Sequence, residues 1–426
     1  MKTKLLYAGA LVLSMFGFSL AQTDDNGYTT VEMSIGAQYQ NRVFYDFSEN
    51  SIVSQPADSW DIAFYRVSAY EFGSRMNDSK YINVYEAADD PEEWDNIDLA
   101  DKDSWGDPLY APDKTENIAE GAFEQGSATY GWGEYNGATH HIEGKVVFVL
   151  EYSKTNEYYK FMITDYYGGY TVKYAKWNGS SWGDTVTATI ANGTDDAYFN
   201  YFSLATGAKV PDLEPAKAQW DLMFTKFWTD YQYPGGSMMY NMSGVLQNPD
   251  VEVAKSQPEN QDAASFTAPA EDAYSSEISA IGYSWKPTSG IYTDVVYYVK
   301  RGDQYYRMYF TSNGGASTGN MFFKYKNITS ELGVENIGNK ASFGIYPNPV
   351  NADRKVTILF DVKGKDSNRG TAEIYDMSGK KVYETALSGQ SGFYKQEVNL
   401  QKLVPGIYIV KITYGGISET KKLMVK

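Results

Sequence analysis

The chain reads as all-β, a β-rich unit present twice and followed by a small β-sandwich. Three observations predict this. Aromatic residues are abundant, with 38 Tyr, 20 Phe and 9 Trp, and such side chains pack well on a pleated surface. Runs rich in Val, Tyr and Phe, such as Lys145–Tyr152, Tyr158–Thr164, Thr293–Lys300 and Tyr305–Thr311, alternate with Gly, Asn and Asp turns. Apolar i, i+3, i+4 patterns hardly persist beyond about two helical turns.

Taken in order, the first element is a leader. Lys2 and Lys4 precede an apolar stretch from Leu5 to Leu20, and small residues stand at Ser19 and Ala21. This pattern predicts a secretory signal peptide over 1–21, removed on export. No other stretch approaches the roughly 18 apolar residues of a membrane-spanning helix, so no transmembrane span is expected after its removal.

The repeat comes next. Phe44-Tyr45-Asp46-Phe47 is followed, after a polar loop, by Trp60-Asp61-Ile62-Ala63-Phe64. Tyr201-Phe202-Ser203-Leu204 is followed in the same way by Trp220-Asp221-Leu222-Met223-Phe224. Further on, Val146–Leu150 leads to Tyr158–Phe161, as Val295–Val299 leads to Tyr305–Met308. The order of elements predicts a duplicated unit, one copy over 22–193 and the other over 194–328. A Trp and a Phe four apart on an extended strand share a face, so each W-D-x-x-F is read as a core anchor. The Asp between them is placed to accept backbone N–H groups at a strand end.

Residues 329–341 form a linker with little to bury. From 342 to 426, short strands over Val356–Phe360, Ala372–Asp376, Lys395–Leu400, Gly406–Thr413 and Glu419–Lys426, with turns between, predict the sandwich.

Composition narrows the function. A net charge of -17 argues against nucleic-acid partners, which require a basic face. The chain has no Cys, which excludes disulfides, thiol nucleophiles, zinc–thiolate sites and iron–sulfur clusters. Its 2 histidines, His140 and His141, are adjacent. G-x-S-x-G occurs at Gly179–Gly183 and Gly315–Gly319, but a nucleophile elbow needs a strand before it and a helix after it, and both are read as hairpin turns. The carboxylates between Asp89 and Asp107 lack EF-hand spacing and read as a solvated acidic loop. A binding protein, not an enzyme, is the expectation.

Two resemblances sharpen this reading. Tyr346-Pro347-Asn348-Pro349, Ile374–Lys380, Leu403–Tyr408 and Lys421–Lys426 resemble the type A sorting domain of type IX secretion cargo, an immunoglobulin-like β-sandwich. That resemblance implies handling by the type IX secretion machinery and delivery to the outer-membrane surface or the medium. Trp60–Arg66, Asp165-Tyr166-Tyr167, Ile281–Lys286, Val296–Lys300, Tyr305-Tyr306-Arg307 and Gly319–Tyr325 resemble the HmuY-like family of exported haem-binding proteins, in two tandem copies. This implies a haemophore that captures haem or a related porphyrin between His or Met side chains. Candidate ligands are Met238, Met239 and Met242 in the insert after the second Trp-Asp, with Met76 in the first copy, and His140 and His141. As neighbours on a strand the two histidines would point to opposite sides. The bland reading makes the methionines core filler and the histidines a polar strand edge. The alternatives to haem are an adhesive or structural surface protein, and a glycan-binding module using exposed Trp177 or Trp182.

Overall fold

The computed structural model describes residues 15–18, 23–68, 71–263, 265–331, 341–350, 354–362, 370–387, 392–414 and 417–426. The expected leader lies outside the described residues except for Met15–Phe18, which run antiparallel to Ser51–Pro56. Most of the expected linker also lies outside them. The chain forms two units, Met1–Asn327 and Ile328–Lys426, and most described elements are strands, the rest short helical turns.

The first unit is built from two lobes. In lobe one, an antiparallel sheet runs Val186–Ala191, Gly169–Lys176, Glu157–Tyr166, Val147–Tyr152, Ile82–Ala88. A smaller sheet runs Ala208–Val210, Phe199–Ser203, Ile62–Tyr65, Ser74–Met76. Phe64, Trp132, Phe148, Phe161, Tyr170 and Phe202 fill the core of this lobe. The Val147–Tyr152 strand is apolar on both faces for a reason. Phe148 and Leu150 enter that core, while Val147 and Val149 are covered by Trp94 and Ile97. The acidic segment is therefore docked, not free. Its two 3-10 turns are capped by Asp90 and Asp98, which accept from Glu92 N and Ala100 N.

Lobe two also has two sheets. One sheet runs Val251–Ser256, Val296–Arg301, Gln304–Asn313, Met321–Asn327, Thr29–Val31. The other runs Ser51–Pro56, Asn41–Asp46, Leu222–Tyr233, Gly236–Gln247. Val43, Tyr45, Phe224, Tyr297, Phe310 and Phe323 form its core.

The lobes do not coincide with the stretches 22–193 and 194–328 that the sequence reads as copies. Strand Asn41–Asp46 pairs with Leu222–Tyr233, Tyr45 opposite Leu222. Strand Phe199–Ser203 pairs with Ile62–Tyr65, Phe202 opposite Ile62. Thr29–Val31 likewise joins Met321–Asn327, whereas Val186–Ala191 joins Gly169–Lys176. Each stretch hands strands to both lobes.

The Trp-Asp pairs secure this crossing with matching hydrogen bonds. Asp61 N donates to Phe202 O at 2.8 Å and Asp221 N to Tyr45 O at 2.7 Å. Leu204 N donates to Asp61 Oδ2 at 2.7 Å, and Phe47 N to Asp221 Oδ2 at 2.6 Å. Asn77 Nδ2 donates to Ala57 O and Trp60 O, as Asn248 Nδ2 does to Lys217 O and Trp220 O. The expected role of the Asp is what the structure shows. The expected shared face of Trp and Phe is not. Residue 61 lies outside the strand that starts at Ile62, so the alternation shifts there. Trp60 packs with Phe44, Ala63, Tyr201 and Trp220 at the seam, while Phe64 enters the lobe core.

The C-terminal unit is a sandwich of Ala341–Tyr346, Lys355–Val362, Gly392–Asn399 against Lys381–Ala386, Thr371–Asp376, Gly406–Tyr414, Ile417–Val425. Ile358, Ile374, Val398, Val410 and Leu423 are in its core. Asn348 explains its place in the motif. Its Oδ1 accepts from Met424 N at 2.9 Å and its Nδ2 donates to Lys422 O at 2.7 Å, which ties the last strand down. In the Asp376–Lys380 turn, Asp376 Oδ1 accepts from Ser378 N and Lys380 N, and Gly379 takes a φ of 83°.

We expect Asn77→Ala and Asn248→Ala each to destabilise the first unit by about 1–3 kcal/mol, because each strands two buried carbonyls. Urea denaturation of the two variants checks this. A loss confined to one of them would show that the two crossings are not equivalent.

Candidate functional site

The seam between the lobes of the first unit is where the crossing strands bring unlike residues together. Phe44, Trp60, Tyr201 and Trp220 pack there, and Arg42 lies among them. Its guanidinium carbon is 5.0 Å from the Phe44 ring, 5.1 Å from Trp60 and 4.6 Å from Tyr201. Arg42 Nη2 donates to Leu213 O at 2.9 Å, while Arg42 Nε, Trp60 Nε1 and Trp220 Nε1 are buried without a hydrogen-bond partner. A cavity of about 50 Å³ opens at this place, lined by these residues together with Arg75, Asp78, Glu214 and Lys226.

Charges here are shaped by desolvation. Burial pushes the Asp78 carboxyl up to about 7, although Arg75 and the Trp228 N–H favour its ionised form. Burial lowers Arg75 as well, and its Nη groups donate to the carbonyls of Ile118 and Pro112. Burial also raises Glu214, which accepts from Tyr198 N and Tyr201 Oη. At the crossing itself burial raises Asp221, against the opposing pull of the Phe47 N–H and of Arg301, whose Nη1 lies 2.6 Å from Asp221 Oδ1.

The residues singled out by the sequence fall elsewhere. Met238, Met239 and Met242 lie on the Gly236–Gln247 strand, which pairs with Leu222–Tyr233 in one long hairpin. Its turn follows from Pro234 and Gly235, the latter with a φ of 112°, the chemistry of a tight turn. Met238 faces Tyr231, Met239 faces Asp230 and Met242 faces Phe227 across the ladder. At the outer end Tyr233 is 44% exposed, Met238 50%, Met239 36% and Tyr240 48%. Core filling therefore does not describe Met238 or Met239, because the hairpin extends past the sheets that would cover it. Met76 is no counterpart of theirs. It is buried in the core of lobe one, opposite Ile62.

His140 and His141 belong to the other lobe and do not meet the methionine hairpin in a shared sheet. They do not occupy opposite sides of one strand either. His140 sits in a turn with a φ of 63° and its Nδ1 is 2.6 Å from Tyr135 Oη. His141 begins the strand His141–Gly144, is 2.7 Å from Asp165 Oδ1, and stacks on Tyr167 with ring centroids 4.5 Å apart. Trp182 is anchored through its Nε1 to Ile97 O at 2.7 Å and meets Trp177 edge-on. Gly179–Gly183 joins two strands as expected. Gly315–Gly319 instead includes a one-turn helix, Gly315–Thr318, before the next strand. Among the described residues no three His, Asp or Glu side chains converge as a metal site, and no helix is long and apolar enough to cross a membrane.

Residues 344–426 match the secretion system C-terminal sorting domain family. That domain marks the chain for export to the cell surface or the extracellular space by type IX secretion. No curated protein matches the chain, and nothing in these comparisons supports the HmuY-like resemblance of the first unit or haem binding.

We expect Asp78 to make stability depend on pH. Its folded value of about 7 lies above that of an unfolded carboxylate, near 3.9. The folded chain thus retains a proton that the unfolded chain releases, and this contribution is lost as pH rises from about 4 to about 7. Asp78→Asn should flatten that part of the stability–pH curve, read by urea unfolding at pH 5 and pH 8. An unchanged slope would remove Asp78 as its source.

Proposed function

We propose that the exported chain is a binding protein, not an enzyme, and that it meets its ligand through the outer end of the Leu222–Gln247 hairpin. The observation that carries this reading is the exposure of Tyr233, Met238, Met239 and Tyr240 together on one projecting hairpin. Large apolar side chains gathered in water are a mark of a contact surface, and methionine adapts its shape to what it meets.

Haem or a related porphyrin is the leading ligand, as the cargo of a haemophore-like protein. Thioether sulfur at Met238 or Met239 suits haem iron, and the neighbouring tyrosines offer flat faces. The seam cavity is not the place for it, because about 50 Å³ is room for a few waters, whereas pockets for larger ligands run to roughly 300–1,000 Å³. His140 and His141 could join only as a separate locus, since both are engaged within lobe one. An adhesive reading draws on the same exposed hairpin, with a protein surface as the partner.

Titrating the purified full-length chain with ferric and ferrous haem separates these readings. The porphyrin reading expects a saturable, shifted Soret band that Met238→Ala with Met239→Ala removes and His140→Ala leaves in place. A spectrum equal to that of haem with an inert protein would sink it and leave adhesion.

A further inference from the structure

The chain carries a net charge of -17, so lysines gathered outside any ion pair stand out in it. Lys154, Lys226 and Lys286 gather at the base of the hairpin, beside the seam. Lys226 comes from the Leu222–Tyr233 strand, and its ammonium donates to Tyr81 Oη and lies 4.3 Å from the centre of that ring. Lys154, in the loop between Val147–Tyr152 and Glu157–Tyr166, sets its ammonium 3.5 Å from the centre of the same ring. Lys286 Nζ donates to Ser243 Oγ at 2.8 Å, and Ser243 is the cross-strand neighbour of Lys226. None of the three joins an ion pair among the described residues.

This arrangement costs stability. Lys226 is 8% exposed, and a buried ammonium is normally matched by a carboxylate. Burial, with repulsion from Lys154 and Lys286, lowers Lys226 to about 8, and Asp78 opposes that shift only in part. Burial alone lowers Lys286 to about 8. Asp78 is itself raised to about 7 by burial, so the charge of three lysines is matched only in part, and an anion suits this place.

The neighbouring surface is aromatic. Trp228 lies two residues beyond Lys226 on the same face of the hairpin, with its ring 6.2 Å from Tyr81 and 4.7 Å from Tyr110. Ammonium groups beside flat rings suit a molecule with an anionic substituent on a ring whose C–H face is apolar. We propose that this place binds an acidic saccharide, with its carboxylate or sulfate among Lys154, Lys226 and Lys286 and its ring against Tyr81 and Trp228. The proposal is independent of the hairpin tip, and a failed haem titration leaves it standing.

Calorimetry on the full-length chain tests it, with trigalacturonate, a sulfated dextran fragment and neutral maltotriose as probes. We expect at least one acidic probe to bind and maltotriose not to bind. The probe that binds tells carboxylate from sulfate. Lys226→Gln and Lys286→Gln should each weaken binding about tenfold, as should Trp228→Leu. Lys380→Gln, in the C-terminal unit, should leave it unchanged. Affinity should fall as pH is raised through about 8, where Lys226 and Lys286 lose their charge. The groups facing them are Lys154, Asp78, Tyr39 and Tyr81. Should Lys226→Gln fail to fold, Lys154→Gln on its exposed loop gives the same readout. Absence of binding by both acidic probes overturns the proposal. So does equal binding of maltotriose, or full affinity in the lysine variants.

Discussion

The carboxylates of Asp61 and Asp221 hold the first unit together at the point where its chain crosses between lobes. Each accepts the backbone N–H just beyond a strand contributed from the other half of the sequence, Leu204 in one case and Phe47 in the other. Without those bonds the end of the incoming strand would carry a buried, unpaired donor, a loss comparable to a missing hydrogen bond. The remaining oxygen of Asp61 is held by Tyr152 and Lys80, and that of Asp221 by Arg301. Neither half of the sequence completes a lobe by itself, so folding requires contacts between residues more than a hundred positions apart. Such pairing is slow to nucleate because loop closure precedes its reward.

The seam follows from that crossing. Strands that change lobes must pass through a shared layer, which is why Phe44, Trp60, Tyr201 and Trp220 meet there and why charged groups such as Arg42, Arg75 and Glu214 are drawn in with them. The layer is closely filled, and the space left is small. Larger clefts lie outside it, of about 660 Å³ beside the docked acidic segment and about 390 Å³ between Asp195 and Ala216, and the hairpin exposes Met238 and Met239 at its outer end. The lysines at its base and the exposed methionines at its end are two consequences of one extension.

The C-terminal unit solves a separate problem. A small sandwich has little core to spare, and Asn348 adds two hydrogen bonds from a loop to the strand Ile417–Val425. That unit accounts for the delivery of the protein. The first unit accounts for what is delivered.

Much of this was legible in the residues. Alternation and turn chemistry are local, so the strands at Val147–Tyr152, Glu157–Tyr166, Val296–Arg301 and Gln304–Asn313 were recognisable, as was the sandwich with its motifs. The Asp of each Trp-Asp pair was readable because a strand end leaves backbone donors to satisfy. The side of Trp60 was not, because one residue outside the strand reverses the alternation, and periodicity carries no sign of it. Nor does spacing reveal which half a strand will join, since Asn41–Asp46 and Phe199–Ser203 offer similar edges to either partner and only the packed whole chooses. The candidate sites show the same division. Met238 and Met239 are visible as residue types, but their exposure depends on how far the sheets reach. Tyr81, Lys154, Lys226 and Lys286 are scattered along the chain, and only the tertiary structure brings their charges close enough to repel one another, because Coulomb interaction depends on distance in space and not on separation in sequence.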